Sequence, residues 1–305
     1  MNRKKKKKLN VLSTGWNVVF LVILTLVALT MLLPMVLVII ISFSSTESIR
    51  QVGYSFLPKE WSLQGWEYLL KMGDQLLYSY EVTIAYSVLG TVLSLFVMMM
   101  CAYVISRSDF WLRKQLTWFI FFTMLFGGGL VPSYILNVNY YHLKDSFWIL
   151  ILPGLVGAYN IIILRTFIKT TIPEGLFDAA RIDGAGHFTI FFKIVIPLSK
   201  AGIATVGLFT FVGKWNDWFT GMLYVNNSRL VPLQTLLVRL QNNVDIIKNN
   251  ATITNSPDGV RLLKNMPSTN LRMACTVAAV LPLLFAYPFF QRYFVNGLTV
   301  GSIKE

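Results

Sequence analysis

The sequence predicts an all-α polytopic membrane protein, and three observations lead to that fold class. Of its 305 residues, 55% are hydrophobic and only 13% are charged. The run 16–43 contains no charged residue and is longer than the roughly 20 residues that cross a bilayer. Five further long apolar runs follow it. We therefore expect six transmembrane helices in a single transmembrane domain of residues 1–305.

The six runs divide the chain into spans and connections. The expected spans are 16–43, 82–105, 115–136, 147–168, 201–225 and 273–294. The connections include a basic tail at 1–15, external loops at 44–80 and 226–272, a charged loop at 169–199 and a tail at 297–305. Gly127, Gly128 and Gly129, followed by Pro132, predict a bend in the third span. The loop 226–272 fits either a flexible connection or a folded cap, with a turn at 257–259.

The placement of basic residues predicts the orientation. Most of the 27 Lys and Arg fall on the side of the amino terminus and of the loop 169–199. Because cytoplasmic segments carry an excess of Lys and Arg, both termini and this loop are expected in the cytoplasm. The net charge of +13 is then a consequence of topology, and it does not indicate a nucleic-acid partner.

The basic tail has two other interpretations, as the start of a signal peptide or as a nucleic-acid-binding arm. Lys4 to Lys8 precede an apolar run that is too long for a signal-peptide core and lacks a small-residue cleavage site. The adjacent span also argues against a nucleic-acid arm. We predict an uncleaved first transmembrane helix in the plasma membrane.

A charged, glycine-punctuated segment at 173–197, PEGLFDAARIDGAGHFTIFFKIVIP, interrupts the apolar runs. Pro173 suits the first position of a helix, and Gly184 and Gly186 can end that helix and turn the chain. Phe188, Phe191, Phe192 and Val195 then follow the spacing of a second amphipathic helix. The pattern predicts a helix–turn–helix on a membrane surface, which we call the 173–197 hairpin, and indicates a docking element.

The hairpin resembles the EAA loop of ABC importer permeases. The matching residues are Asp178-Ala179-Ala180, Asp183-Gly184-Ala185-Gly186 and Ile194-Val195-Ile196-Pro197, with Asp178 and Ile196 in place of the usual Glu and Leu. In that family the loop sits in a cleft of the ATPase subunit. The resemblance thus implies an ATPase-coupling role for Glu174, Asp178, Ala179, Ala180, Arg181, Asp183, Gly184, Ala185, Gly186 and Pro197. The alternative is an ordinary interfacial helix pair.

The fifth run contains a polar cluster, Lys214-Trp215-Asn216-Asp217-Trp218. Its tryptophan rings could stack on sugars while its polar groups bind hydroxyls, which makes the cluster a candidate for the substrate path. It could instead be an aromatic belt at the outer surface or a contact with a partner permease. Lys214 and Asp217, three residues apart, could pair and offset part of the cost of burying charge. Tyr86 and Asn160 either face the same cavity or bond to the helix backbone.

The sequence contains no Gly-x4-Gly-Lys-Ser/Thr phosphate loop, no Gly-x-Ser-x-Gly and no His-Glu-x-x-His. We therefore expect a transporter subunit that is not an enzyme and binds no cofactor. ATP and Mg²⁺ would be bound by a partner subunit.

The resemblance extends from the second run to the end of the chain and is closest to the carbohydrate branch, of the maltose-type second permease. It rests on Ala102-Tyr103, Ser106-Arg107, 128–132, 215–219, Tyr287-Pro288-Phe289 and 291–301. It implies a heterodimer with a second permease, two ATPase subunits and an external sugar-binding protein that delivers an oligosaccharide. It also implies that Gly297, Leu298 and Thr299 contact the ATPase subunits, where the alternative is a frayed terminus. Two other classes remain open, a secondary transporter or channel and a membrane scaffold, both without ATPase coupling.

Overall fold

The computed structural model describes residues 14–249 and 269–301, and this part of the chain is helical with a single isolated β-bridge, Ser44–Trp61. The helices are α1 (Thr14–Ser42), α2 (Thr46–Val52), α3 (Gln64–Leu70), α4 (Asp74–Ser106), α5 (Arg113–Leu125), α6 (Leu130–Tyr140), α7 (Ala158–Thr171), α8 (Glu174–Ile182), α9 (His187–Leu198), α10 (Lys200–Trp215), α11 (Phe219–Tyr224), α12 (Leu233–Asn249) and α13 (Thr269–Gly301). Short 3₁₀ helices cover Phe147–Leu150 and Ser228–Leu230. The predicted all-α class is confirmed.

Fewer helices are long enough to cross a membrane than the six predicted. Within the described ranges, Gly15–Ser42 and Asp74–Ser106 meet the length and composition of a span. The number is four if each of two bent pairs is one span: α5 with α6, at an angle of 110°, and α9 with α10, at 79°. The predicted break at Gly127–Gly129 is therefore present. Hydropathy alone could not separate continuous spans from broken ones.

The fourth and fifth predicted spans differ most from the structure. The run 147–168 begins as a 3₁₀ helix and turns, and becomes α-helical only at Ala158. The run 201–225 is divided between α10 and α11 at Asp217. In both runs the residues on either side of the break are apolar, so composition does not reveal where the helix is interrupted. Local hydrogen bonds make the break. The sixth run, 273–294, lies inside α13.

Two compact units make up the chain, and the first comprises residues 1–69 and 265–277. In it, the end of α1 packs against the segment after α2: the amide of Ser62 donates to Phe43 O (2.7 Å), and the Trp66 ring stacks on Phe43 at 5.5 Å. Asn270 Nδ2 donates to Ser44 O (3.3 Å), which ties the start of α13 to the end of α1. The predicted loop 44–80 thus contains α2, α3 and the start of α4.

The second unit comprises residues 70–264 and 278–305 and is built around α4. One side of α4 carries small buried residues at intervals of three or four, Ser79, Thr83, Ser87, Thr91 and Ser94, and Gly90 adds a further one. Small side chains let neighbouring helices approach closely in a membrane, and α10, α7 and α12 all pack on α4. Its last turns enter an apolar core with Ile161, Leu164, Ile168 and Val206.

The surfaces of α1, α5 and α6 are apolar and exposed. No residue of α5 is buried, Asn137 is the one buried residue of α6, and the spanning window of α1 has no buried residue. Apolar surfaces of this extent are typical of contact with lipid or with another subunit.

The loop predicted at 226–272 contains a helix. Along α12, buried Leu233, Leu236, Leu237, Leu240 and Val244 follow a helical period, a signal that was present in the sequence. The predicted turn at 257–259 and the basic tail at 1–13 lie outside the described residues. Gly297, Leu298 and Thr299 lie within α13.

Asp145 joins two connections of the second unit. Its backbone lies in the left-handed region (φ 56°), and its Oδ1 accepts hydrogen bonds from the amides of Asn227 (2.9 Å) and Asn226. Its own amide donates to Tyr224 O (3.1 Å). The hydrogen bonds from Asn227 and Asn226 lower the pKa of Asp145, because they favour its charged form.

Acidification should therefore weaken this junction. Since the folded-state pKa lies below the unfolded value of about 3.9, the stabilisation is complete above that value and is lost as the pH falls through the folded pKa. We expect the apparent melting temperature of the purified protein to fall more between pH 5 and pH 3 than that of Asp145→Asn. Equal acid dependence of the two proteins would contradict the assignment.

Candidate functional site

The 173–197 segment forms two helices joined by a tight turn. Helix α8 begins after Pro173 and ends at Ile182. The amide of Ala185 donates to Ala180 O and that of Gly184 to Arg181 O, both at 2.9 Å, the paired bonds of a Schellman ending. Gly184 supplies the positive φ (79°) that this ending requires. The chain therefore reverses at Gly184 and enters α9 at His187.

Helix α9 contains a π-helical stretch, Phe191–Val195, which ends two residues before Pro197. Proline has no amide proton to donate to the carbonyl of Lys193, and its ring crowds that carbonyl, so the widened turn accommodates it. The buried face of the helix consists of Ile190, Phe191 and Val195. Phe188 and Phe192, which the sequence placed on the apolar face, are exposed.

Aromatic packing attaches the hairpin to the end of α4. Phe177 of α8 and Phe191 of α9 are both buried, and their rings lie 6.3 and 5.7 Å from that of Tyr103. Ala180 is also buried, one turn after Phe177. Such pairs contribute about 0.5–1.5 kcal/mol beyond their burial, so each helix of the hairpin is held against α4.

An ion-pair network reinforces this attachment. Asp109, after the end of α4, accepts from Arg107 Nε (3.2 Å) and from Arg181 Nη2 of α8. The buried Arg107 also places its guanidinium 4.1 Å from the centre of the Phe177 ring. Partial burial raises the pKa of Asp109, but the hydrogen bond from Arg181 and the charge of Arg107 outweigh it and leave the pKa below its usual value. The sequence analysis did not identify Asp109.

The opposite face of the hairpin is exposed and combines acidic with apolar groups. Ile182 is 87% exposed and Phe188 72% exposed, although both are large and apolar. The other exposed members are Glu174, Asp178, Ala179, Asp183, Gly184, Gly186 and Pro197. Of the predicted coupling residues, Ala180 and Arg181 hold the hairpin in place and Ala185 is half-buried. The remaining ones form a surface suited to another protein.

A second candidate site is a cavity of about 290 Å³ between α4, α7, α10 and α11. It brings together three residues that the sequence proposed for the substrate path, Asn160, Lys214 and Asp217. Ser94, a polar residue of the second predicted span that could face either the cavity or the helix backbone, lines the walls together with Thr210 and Thr220, which were not selected from the sequence. Their signal is weak, because Ser and Thr are common in membrane helices.

The charged groups of the cavity do not pair as the sequence suggested. Among the described residues no ion pair joins Lys214 to Asp217, and Lys214 Nζ instead lies 3.5 Å from Gly154 O. Asp217 Oδ1 accepts from the amides of Phe219 and Thr220, both at 3.0 Å. Asp217 therefore caps the start of α11, which explains why the apolar run breaks there.

The other proposed path residues lie outside the cavity walls. Tyr86 is buried and its hydroxyl donates to Lys214 O, which fixes the end of α10 against α4. Trp215 is also buried, and its Nε1 donates to Ala279 O of α13 at 2.9 Å. Asn216 and Trp218 are exposed. The Trp215 ring thus packs helices together, while Asn216 and Trp218 remain available to a partner or to lipid.

Comparison with known proteins identifies the class. Residues 95–300 match the family described as binding-protein-dependent transport system inner membrane component. The polygalacturonan/rhamnogalacturonan transport system permease YtcP of Bacillus subtilis is 37% identical, covering 92% of this chain and 95% of that protein. Protein LplC of the same organism is 34% identical over 90% of this chain and 89% of its own length.

A solved structure supports the same assignment. The chain matches a component of a bacterial ABC transporter involved in the import of the acidic polysaccharide alginate, with a TM-score of 0.75 and 29% identity over 93% of this chain and 99% of that one. The chain belongs to the family of binding-protein-dependent transport system inner membrane components. It is a permease subunit of an ABC importer, and such subunits are not enzymes themselves. The predicted resemblance is confirmed.

Proposed function

We propose that this chain is one of two permease subunits of an ATP-driven importer that takes up oligosaccharides delivered by an external binding protein. The family and the carbohydrate-transporting relatives support the class of cargo. The chain would line half of the path, and the second permease would complete it. ATP and Mg²⁺ would be bound by two ATPase subunits.

The topology that suits this function has six crossings and both termini in the cytoplasm. Two crossings are the continuous helices α1 and α4, and the bent pairs α5–α6 and α9–α10 account for further ones. The bent pairs and α11 would be broken spans, whose non-helical backbone is tolerated where it faces protein or a water-filled path. The plasma membrane is the location, and the exposed apolar faces of α1, α5 and α6 would contact lipid or the second permease.

The observation that carries the proposal is the exposed face of the 173–197 hairpin. Acidic Glu174, Asp178 and Asp183 and apolar Ile182 and Phe188 are all exposed on an element that is anchored to the end of α4. A buried apolar anchor with a polar rim is typical of protein interfaces. We assign this face to an ATPase subunit, with the end of α13, Gly297 to Thr299, as a second contact.

The anchors described above suggest how movement would reach the cargo. The hairpin is joined to the end of α4 through Tyr103 and the Arg107–Asp109–Arg181 network. The same helix lines the cavity with Ser94 and Met98. Closure of the ATPase pair would move the hairpin, and α4 would move with it because packed helices move as units. The movement would thereby reach the cavity.

Purification tests the proposal. The tagged chain, extracted in mild detergent, is expected to carry a second permease and an ATPase whose turnover rises when binding protein and sugar are added together. Uptake of sugar into vesicles without ATP would instead indicate a secondary transporter. An associated protein without any sugar transport would indicate a scaffold.

A further inference from the structure

Lys214 is a buried cation that forms no direct ion pair among the described residues, although the carboxylate of Asp217 lines the same cavity. Its relative exposure is 8%, and the hydrogen bond that its Nζ makes, to Gly154 O, is long at 3.5 Å. Asp217 lines the same cavity, but its carboxylate is engaged by two backbone amides of α11. A buried ammonium without a paired anion is unfavourable, so such a group generally serves a ligand.

Helix α4, against which the lysine packs, provides a polar group without a hydrogen-bond partner at the same cavity. Ser94 Oγ is fully buried on α4, lines the cavity and has no hydrogen-bond partner in the described structure. Ser87, Thr91 and Ser199 are unpartnered in the same way, but of these four hydroxyl residues Ser94 is the one that lines the cavity, where a ligand would provide its partner. The lysine and the serine are thus independent indications of the same occupant.

Gly90 is the residue that allows this arrangement. A Cβ built there would lie 3.0 Å from Lys214 Cδ and Cε and 3.2 Å from Nζ. The lysine stem therefore lies directly against the α4 backbone, which holds the ammonium inside the helical bundle instead of letting it reach the surface. A glycine at this position is the sequence feature that accommodates the cation.

The chemistry of these groups favours a carboxylate over a neutral sugar. An ammonium provides up to three donors and a full positive charge, and the serine hydroxyl adds another donor. Hydroxyl groups of a neutral sugar would satisfy the donors but would bring no anion into direct contact with the ammonium. The volume, about 290 Å³, lies near the lower end of ligand pockets, which suits one sugar unit.

We propose that Lys214, with Ser94, binds the carboxylate of a uronic acid unit as an acidic oligosaccharide passes through the permease. This inference depends on the proposed function and specifies the class of cargo. Two relatives agree with it: one carries polygalacturonan in its name, a polymer of a sugar acid, and the other belongs to an importer of the acidic polysaccharide alginate.

Direct binding to the complete permease–ATPase complex in nanodiscs, without binding protein, tests the assignment. The probes are digalacturonate and its neutral methyl ester, which differ in charge at the carboxyl groups. The wild-type complex is expected to bind the acid more tightly. Lys214→Gln should weaken binding of the acid roughly tenfold or more, as expected for a lost charge-assisted hydrogen bond, and should change binding of the ester little.

Matched variants separate the site from general effects. Lys200→Gln removes an exposed lysine at the other end of α10 and should retain the preference for the acid, and Lys214→Arg should retain part of it. Equal affinity of the wild-type complex for acid and ester would overturn the inference even if Lys214→Gln failed to assemble. If Lys214→Gln still supports ATP-driven uptake with an unchanged preference for the acid, this inference is wrong and the proposed function stands. Failure of the wild-type complex to transport any sugar would remove the proposed function.

Discussion

Replacing Asp183 with lysine and Gly184 with valine is expected to abolish ATP-driven uptake while the protein remains in the membrane. Gly184 has a φ of 79°, where a β-branched residue is strained by roughly 1–2 kcal/mol, so valine would distort the turn between α8 and α9. The lysine would reverse the charge of an exposed acidic position in the proposed ATPase contact. Uptake into vesicles and the ATPase activity that is stimulated by binding protein should both fall to background.

The chain offers a closely matched control for this double variant. Gly73 also has a positive φ (50°), Asp74 follows it, and both are exposed at the start of α4, at the opposite end of that helix from the hairpin. Gly73→Val with Asp74→Lys imposes at least as much backbone strain, since Gly73 has φ 50° and ψ −121°, and the same change of charge away from the proposed contact, so most of the uptake should remain. Normal uptake by the Asp183 and Gly184 variant would remove the docking role of the hairpin.

The Arg107–Asp109–Arg181 network allows a milder test of the coupling role of the hairpin. Asp109→Asn weakens the pairing with Arg181 and Arg107 without changing the exposed face. Because Asp109 is partly exposed, solvent screens these pairs and the loss of stability should be small. The hairpin would still bind the ATPase but transmit its movement less rigidly. We expect lower transport for each ATP hydrolysed, with association of the ATPase retained.

Local signals in the sequence predicted the elements that depend on neighbouring residues. The helix–turn–helix at 173–197 follows from Pro173 at its start and Gly184 at its turn, and each of these residues affects the backbone at its own position. The bend after α5 follows in the same way from three consecutive glycines. The leucine spacing of α12 also predicts its buried face, although the polar composition of the segment 226–272 favoured a loop.

Features that depend on distant parts of the chain were not predictable. The Asp109–Arg181 pair joins residues far apart in sequence, and nothing near Asp109 indicates its partner. The roles of the individual residues in the 214–218 cluster could not be predicted either, since they depend on which neighbours surround each side chain. Trp215 faces α13, whereas Lys214, its neighbour in the chain, faces the cavity. The spacing of apolar residues predicts which face of a helix is buried, but it does not predict which other helix packs on that face.

Gly221→Ala is expected to destabilise the protein more than other glycine substitutions in its helices. A Cβ at Gly221 would lie 2.2 Å from Thr235 Oγ1 and 2.8 Å from Pro232 Cδ, so α11 and α12 would have to separate. That movement would strain the hydrogen bonds from Thr235 Oγ1 to Trp218 O (2.9 Å) and from the amide of Leu233 to Thr83 Oγ1 (2.7 Å). Overpacking of this kind costs about 1–3 kcal/mol. The apparent melting temperature in detergent should fall by several degrees.

Two comparisons show whether the close approach to Thr235 is the cause. Gly175→Ala lies inside α8 with no atom within 4 Å of the added Cβ, and it should leave the melting temperature unchanged or raise it, because alanine favours a helix. Thr235→Ala removes the hydroxyl at 2.2 Å, so Gly221→Ala in that background should cost less than in the wild-type protein. Full additivity of the two changes would show that they act separately. The packing of α11 on α12, which positions Asp217 at the cavity, would then have to depend on other contacts.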